Sequence, residues 1–580
     1  MIISRVYLFI DNICNLIIVH DADDVSNSYL GSELLCMRAL MSSNKRIAGT
    51  VCPNAIASRN HRIKRLATIT NKEMIEKTSI KVNKVELKLF GFLREIAGQS
   101  ACNVTLRVAG GWVRDKLLGL DSSDIDIALD TITGSDFAKF VNEYENQHGG
   151  KTHSIGVIKA NPEQSKHLET ITMKFEEIGW VDFVNLRSET YSEDHRIPNV
   201  QFGTPLEDAE RRDFTINSLY YNISNDRVED FTERGLDDLK NGIIRTPLDP
   251  RVTFLDDPLR VLRAIRFAAR FGFELDKSLC DAAQLDEVKD ALIQKVSRER
   301  IGKELLGMLE GPSAHPQSAF SMMHDLGLFK CIFLLPQQSR IMDENDTNVQ
   351  SDIFIKKWDH AYEHSTKMHH YLSTHYGFLE SEIDKMEEKK RNRYKLSCLA
   401  SFLFPFSSYC VMLSKKKVRL PCYVIKESLK LRNRDAEDID HIILANCGDL
   451  QKLVHGNVFD RVEVGLLLRK IGPLWEVCRD VACISDMIQN STTPQSFVSA
   501  KYDALTTFVT NNNLEGAWSL KPLMTGNDVI RVLGVSPGPE VKKILDEIII
   551  WQLEDPERTY ESCVKHFTTL QSCDATKHLD

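Results

Sequence analysis

The rhythm of hydrophobic and polar positions divides this chain into two kinds of structure. From Leu87 to Ile96 apolar residues recur at helical spacing, and Val104-Thr-Leu-Arg-Val-Ala reads as a strand ending at Gly110-Gly111. A helix is predicted from Trp112 to Leu118, stopped by Gly119. Asp124-Ile-Asp-Ile-Ala-Leu alternates polar and apolar residues, as a strand with one covered face does. Thr152 to Lys159, Thr170 to Phe175 and Trp180 to Leu186 read as further strands. Strands interleaved with helices predict one mixed α/β domain. Past Pro258 helical periods take over: Asp257 to Arg270, Val288 to Leu309 and Ala319 to Phe329 read as successive helices. Polar breaks fall at Pro336 to Asp352 and around Gln489 to Pro494, and there is no internal repeat or membrane-spanning run. The pattern predicts an α+β chain with a leader (1–72), a mixed α/β domain (73–250) and two helical segments (251–335 and 336–580).

Composition changes this picture mainly at the N-terminus. Between Leu34 and Lys72 there is no Asp or Glu, while Arg38, Lys45, Arg46, Arg59, Arg62, Lys64, Arg65 and Lys72 are basic. A basic, Ser-containing, acid-free leader has the composition of a transit peptide for a mitochondrion or plastid. Met37 or Met41 as an internal start would leave a cytoplasmic or nuclear form. A disordered leader with no address has the same composition, so both alternatives stay open. The net charge of −9 argues against a protein that coats nucleic acid non-specifically, but leaves room for local basic patches. The 14 cysteines form no CxxC pair and no Cys/His cluster, which argues against structural zinc and for free thiols in a reducing compartment.

Two features carry chemistry. Asp124 and Asp126 lie two apart on a predicted strand, so their carboxylates share a face. Ionised side by side they repel; a divalent cation removes that cost, and oxygen ligands favour Mg²⁺. Alone, such a pair is an ordinary solvated strand face, and a lone Gly-Gly is an ordinary tight turn. Here Gly110-Gly111 sits between strand and helix just upstream, where backbone N–H groups can approach an anion, and Arg114 adds a cation one turn on. A nucleoside triphosphate with Mg²⁺ satisfies both halves.

The run Gly110-Gly111-Trp-Val-Arg114-Asp115, followed by Asp124-Ile-Asp126, closely resembles the first motif of class II tRNA nucleotidyltransferases and bacterial poly(A) polymerases. Both belong to the polymerase β-like nucleotidyltransferase superfamily. Arg211-Arg212-Asp213-Phe-Thr-Ile-Asn217 is similar to the second motif, and Asp230-Phe-Thr-Glu-Arg-Gly235-Leu-Asp-Asp-Leu239 to the hinge motif. Asp257-Pro-Leu-Arg260-Val-Leu-Arg263-Ala-Ile-Arg266 resembles the nucleotide-selecting helix, and Ser297-Arg298-Glu299-Arg300-Ile301 the helix motif after it. Ser165-Lys-His-Leu-Glu169 and Phe183-Val-Asn-Leu-Arg-Ser-Glu189 are also family-like, with a eukaryotic, especially plant, texture. The family usually has Glu-Asp where this chain has Asp256-Asp257, a conservative difference.

The resemblance implies a polymerase β-like head followed by an all-α neck, body and tail. It implies addition of C, C and A to tRNA 3′ ends from CTP and ATP, without a nucleic-acid template and with two Mg²⁺ ions at Asp124 and Asp126. Gly110, Gly111, Arg114, Arg212, Arg263 and Arg266 would hold the nucleotide, and Asp213 and Asn217 would shape its pocket. The alternative for those last two is a helix cap and a buried amide. Asp182, in Trp-Val-Asp-Phe, is either a third catalytic carboxylate or an exposed strand residue. The residues between Asp130 and Ser165 would include a flexible loop that helps the switch to ATP.

The arginine-bearing segment also has a reading of its own. Arg260, Arg263, Arg266 and Arg270 fall on one broad helix face, with Val261, Leu262, Ile265, Ala268 and Ala269 roughly opposite. A solvated face would look the same. However, no acid lies between Arg260 and Arg270, so these like charges repel unless a polyanion such as a triphosphate offsets them. Asp257 can accept from an exocyclic amine while Arg260 donates to the neighbouring ring acceptor. Cytosine and adenine share that pattern, whereas guanine and uracil present a carbonyl there. One Asp/Arg pair can thus admit CTP and ATP, and in the resembling family it serves as the template.

Other readings compete. A poly(A) polymerase shares every motif and adds A alone. A non-catalytic RNA-binding homologue would have no reason to retain a repelling carboxylate pair. His324-Asp325, with His360, His364, His369 and His370 downstream, matches the dipeptide of His-Asp phosphohydrolases but lacks their order of ligands. Lys389-Lys390-Arg391-Asn-Arg393 and Lys415-Lys416-Lys417-Val-Arg419 are the densest basic clusters of the helical region, each a tRNA contact or a solvated surface. Lys521-Pro-Leu-Met-Thr-Gly526 and Pro537-Gly538-Pro539 resemble the family's tail.

Overall fold

Alternation in the Asp124-Ile-Asp-Ile segment builds the centre of a seven-stranded sheet. The computed structural model describes residues 80–577 except 100–103, 123, 159–169, 193–194, 337–340, 344, 346, 348–352, 379–382, 384, 414–415, 445–446 and 457. The leader, the Ser165–Glu169 stretch and most of the first polar break therefore lie outside the described residues.

In chain order come α1 (Lys84–Gln99), β1 (Leu106–Ala109), α2 (Gly111–Leu117), β2 (Ile125–Leu129), α3 (Gly134–Gln147) and β3 (Ile155–Ile158). They are followed by β4 (Thr170–Phe175), β5 (Gly179–Asn185), the hairpin β6 (Arg187–Ser192) and β7 (His195–Phe202), α4 (Pro205–Glu210), β8 (Leu219–Asn222), β9 (Arg227–Asp230) and α5 (Gly235–Asn241). The sheet runs β3-β4-β5-β2-β1-β8-β9. β2 and β5 pair in parallel, and the other neighbours are antiparallel. Ile125, Ile127, Ile171, Met173, Val181 and Phe183 are buried on the face that α3 covers. Phe137 of α3 meets Phe183 edge-on at 5.2 Å. Gly134 permits that approach, since a Cβ there would lie 2.9 Å from the Phe183 carbonyl oxygen. Period two leaves Asp126 and Asp182 on the opposite, open face.

Beyond the sheet the chain is helical. After β10 (Ile243–Ile244) come α6 (Pro250–Asp256), α7 (Leu259–Phe271), β11 (Glu274–Leu275), α8 (Lys277–Ala283), α9 (Asp286–Lys295) and α10 (Arg298–Glu310). α7 buries Leu259, Val261, Leu262, Ala264, Ile265, Phe267, Ala268 and Ala269, and stops at Gly272, whose φ of 66° suits glycine. Its four arginines are left on the other side, half-buried. One continuous core runs from the sheet through these and later helices, and a separate cluster in the tail packs Met524, Val529, Leu533, Ile548, Cys563 and Phe567. Among the described residues no helix is long and apolar enough to cross a membrane.

The structure differs from the sequence pattern in several places. The helix expected from Ala319 to Phe329 runs instead from Pro316 to Asp325 and ends before Gly327, whose φ is 65°. The single helix expected from Val288 to Leu309 breaks at Val296-Ser297, both extended, where the Ser297 side chain caps α10 by accepting from the Arg300 N–H. Within the segment expected to include a flexible loop, α3 fills Gly134–Gln147 and the strand expected near Thr152 is β3, while 159–165 lies outside the described residues. The helical body holds a small antiparallel sheet that periodicity did not predict, made by Ile341–Met342, Cys410–Leu413 and Lys416–Arg419.

Candidate active site

The β1–α2 turn, the segment before β8 and the arginine face of α7 surround one cavity of about 570 Å³. Gly110, Gly111, Arg114, Asp124, Asp126, Arg212, Asp213, Asn217, Asp257, Arg260, Arg263 and Arg266 all line it. Twelve positions spread over more than 150 residues of sequence therefore converge, as the motif order predicts. Asp182 is not in the lining. It lies beside Asp126 in register on the same open face, half-buried.

Gly110 has φ 69° and ψ −117°, and a Cβ there would come within 2.7 Å of Arg212 Nη1. The backbone conformation thus requires glycine, and a Cβ would also press on the Arg212 guanidinium. Behind the turn, Arg114 is 4% exposed. Its guanidinium pairs with Asp115 at 2.7 Å, donates to Asn217 Oδ1 at 2.5 Å, and lies 4.9 and 4.8 Å from the rings of Phe267 and Phe271. Burial lowers its pKa despite the support of Asp115. So enclosed, it braces the turn and Asn217.

Asp126 opens onto the cleft rather than the core, yet its carboxyl is pushed up to about 6. Withdrawal from bulk water contributes most, then Asp182; Arg212 pulls the other way, and Asp124 adds a further push. The crowding of acids foreseen at Asp124 and Asp126 thus includes a third carboxylate, and Asp182 acts on Asp126 more strongly than Asp124 does.

The cations are held from behind. Arg212 donates to Asp208 at 2.9 and 3.1 Å, to the Tyr220 hydroxyl at 3.2 Å and to the Asn217 carbonyl at 3.3 Å. Burial disfavours ionised Asp208, but Arg212, Arg211 and the Tyr220 hydroxyl hold its carboxyl well below the usual range. Asp213 accepts from Arg263 at 2.7 and 2.8 Å and from the Asn217 amide at 2.9 Å. Burial would raise its pKa, yet Arg263, the Asn217 amide and Arg260 bring it down to about 2. Asp213 and Asn217 are thus linked to each other, to Arg114 and to Arg263 in one network.

Glu304 of α10, 8% exposed, accepts from Arg266 at 2.6 Å and lies 3.8 Å from Arg263. Arg270 lies 3.7 Å from Asp115. This corrects one expectation. The repulsion along α7 is offset by Asp213, Glu304 and Asp115 from other elements, so it does not by itself require a bound polyanion. At the N-terminal end of α7, Asp257 accepts from Arg300 at 2.8 Å and from the Leu259 N–H at 3.3 Å. Arg260 donates to the Arg211 carbonyl at 2.6 Å.

Sequence reasoning missed Asp208, Glu304 and the roles of Asp115 and Arg300. Asp208 had a visible signal, standing four residues before Arg212 on a short helix. Glu304 had none toward Arg266, which belongs to another helix. Of the basic clusters, Lys389 and Lys390 are exposed, but Arg393 turns inward to Glu476 and Asp480 at 2.7 and 3.0 Å. His324 lies 3.5 Å from Asp325 and stacks on Tyr362 at 4.1 Å. Among the described residues no group of three or more His, Cys, Asp or Glu suited to a metal forms around it.

Comparison with known proteins agrees with this geometry. Residues 106–245 match the family described as "Poly A polymerase head domain", and residues 272–342 match "Probable RNA and SrmB- binding site of polymerase A". The mitochondrial CCA tRNA nucleotidyltransferase of Candida glabrata is 38% identical over 492 residues, 80% of this chain and 91% of that one. The mitochondrial CCA tRNA nucleotidyltransferase of Saccharomyces cerevisiae is 37% identical over 536 residues, 87% of this chain and 96% of that one. Among solved structures, the Thermotoga maritima CCA-adding enzyme complexed with tRNA shares the fold, with a TM-score of 0.54 and 19% identity over 86% of this chain and 98% of that one. With such identity sustained over nearly the full length of two curated relatives, the chain belongs to the CCA tRNA nucleotidyltransferase family.

Proposed function

We propose that this protein adds C, C and A to the 3′ end of tRNA from CTP and ATP, without a nucleic-acid template. The observation that carries the proposal is the single cavity in which Asp124 and Asp126 face a base-reading Asp257/Arg260 pair and the arginines of α7. Arg212, Arg263 and Arg266 take the triphosphate, each pre-set by a carboxylate that faces it from behind. Gly110 and Gly111 let it approach the backbone, while Arg114, Asp213 and Asn217 hold the wall. Asp257 accepts the exocyclic amine of cytosine or adenine and Arg260 donates to the adjacent ring nitrogen.

The donor set fits a divalent cation. Three crowded carboxylates, one of them pushed up to about 6 by its surroundings, are the oxygen ligands that Mg²⁺ prefers. Asp124 and Asp126 would hold two Mg²⁺ ions together with the triphosphate, with Asp182 as the third carboxylate. Bound there, the metal supplies charge neutralisation and activation of the hydroxyl. The tRNA 3′-oxygen bonds to the α-phosphorus in line as the α–β phosphoanhydride breaks, and pyrophosphate leaves. The chain's own contribution is positioning and fixed positive charge.

Incubating the protein with tRNA lacking its terminal trinucleotide, labelled CTP and ATP, and sequencing the products tests this. Growth by C, C and A is expected; growth by A alone would make it a poly(A) polymerase instead. The basic, acid-free leader fits mitochondrial delivery, as the names of the two yeast relatives say of those proteins.

Arg300 gives a prediction about fidelity. It holds Asp257 at 2.8 Å from a helix motif beyond the base-reading pair. Arg300→Ala is expected to free that carboxylate and to lower the kcat/KM ratio of CTP over UTP by about tenfold, the value of one good polar discrimination. Selectivity equal to that of the unmodified chain would count against Arg300 as a positioning residue.

A further inference from the structure

Beside the carboxylates, on the side away from the glycine turn, the open face of the sheet carries an exposed indole. Trp180, at the start of β5, is 52% exposed, whereas tryptophan is highly buried on average. Register fixes its place. β2 and β5 run parallel with Ile125 opposite Val181 and Asp126 opposite Asp182, so one residue earlier Asp124 falls beside Trp180 on the same face. On its other side Trp180 is in register with Lys174 of β4, which is exposed and shares that face. The indole reaches across β4: a Cβ built on Gly156 of β3 would lie 3.9 Å from Trp180 Cζ3.

Strand order gives this ring a direction relative to the chemistry. In β3-β4-β5-β2-β1-β8 the carboxylate strand β2 lies between β1, which leads into the Gly110-Gly111 turn, and β5, which carries Trp180. Arg212, Asp213 and Asn217 come from the segment leading into β8, on the β1 side. In-line displacement needs the attacking hydroxyl and the departing pyrophosphate on opposite sides of the α-phosphorus. A triphosphate seated on the β1 side therefore leaves the β5-β4 side for the incoming RNA end.

We propose that Trp180 is a stacking platform for a base of the single-stranded 3′ end of tRNA, with Lys174 beside it for the RNA backbone. The proposal rests on the function given above and names a contact for its second substrate. Stacking suits that substrate, because the terminal base changes as C, C and A are added in turn. A π-face accepts every base, whereas a hydrogen-bonding pocket would fit only one.

Steady-state kinetics of the full chain on tRNAs ending before the first C, after it and after the second C tests this. Trp180→Ala is expected to raise KM for all three tRNAs by about tenfold or more, with the effect falling on tRNA rather than on CTP or ATP. Trp180→Phe, which keeps a ring, is expected to recover most of the loss. A single-stranded oligonucleotide ending in CC should quench tryptophan fluorescence in the unmodified chain and quench it less in Trp180→Phe. A KM for tRNA in Trp180→Ala matching the unmodified chain, or equal losses in the Ala and Phe variants, overturns the platform while leaving CCA addition intact. No CCA addition by the unmodified chain would instead overturn the function itself.

Discussion

Asp126→Asn is expected to cut incorporation of CTP and ATP by at least about 10³-fold, the scale of losing a group that stabilises transition-state charge directly. The same substitution is expected not to lower, and to raise modestly, the melting temperature of the metal-free protein. Asp126 ionises in the folded chain only near 6, against an ordinary value of 3.8, because it is withdrawn from bulk water and crowded by Asp182 and Asp124. A group whose folded pKa is raised binds protons more tightly folded than unfolded, so its charge costs stability above about 6, and the cost fades as pH falls toward 3.8. Melting curves in chelator at pH 7.5 and pH 5 should therefore show the Asn variant at or above the parent, with the gap shrinking at the lower pH. A variant that lost activity and also melted well below the parent would point to a structural role for Asp126.

Glu304→Gln should produce the opposite balance, a loss of stability with selectivity preserved. Its carboxylate is buried and bridges Arg263 and Arg266, which stand three apart on α7. Breaking a fully buried ion pair costs about 3–5 kcal/mol; because both arginines are partly open to the cleft, about 2 kcal/mol is the better expectation here. Gly307 holds part of the same arrangement, since a Cβ there would come 2.8 Å from Arg266 Cδ. With Arg266 no longer oriented, kcat/KM should fall about tenfold for CTP and ATP alike, because the phosphates are common to both. The preference for CTP over UTP should persist, because Asp257 and Arg260 keep their own partners. Denaturant unfolding and paired nucleotide kinetics measure both effects. Unaltered stability would show that solvent already screens the pair.

These expectations trace back to different levels of the molecule. The strand through Asp124 and Asp126, the glycine turn and the amphipathic helix of Arg260 to Arg270 were legible because each is local. A period of two or of about 3.6 residues states which side of an element is apolar, whatever it later packs against. The same locality joined α9 to α10 across a cap that a single serine side chain makes.

Motif order along the chain likewise announced the family and nearly every residue that lines the cavity. Position in the cavity did not reveal what each side chain is bonded to. Arg263 and Arg266 looked unpartnered because no acid stands within a helical turn of them, yet Asp213 and Glu304 reach them from 50 and 38 residues away. Arg300 meets Asp257 across 43 residues, and Asp182 joins the carboxylate pair only through the parallel register of two strands. Element type, the apolar faces and the chemical inventory of the site belong to the linear order of residues. Which charges neutralise one another, and on which side of the carboxylates Trp180 lies, depended on packing, because an ion pair or a strand register between distant segments exists only once their faces have been brought together.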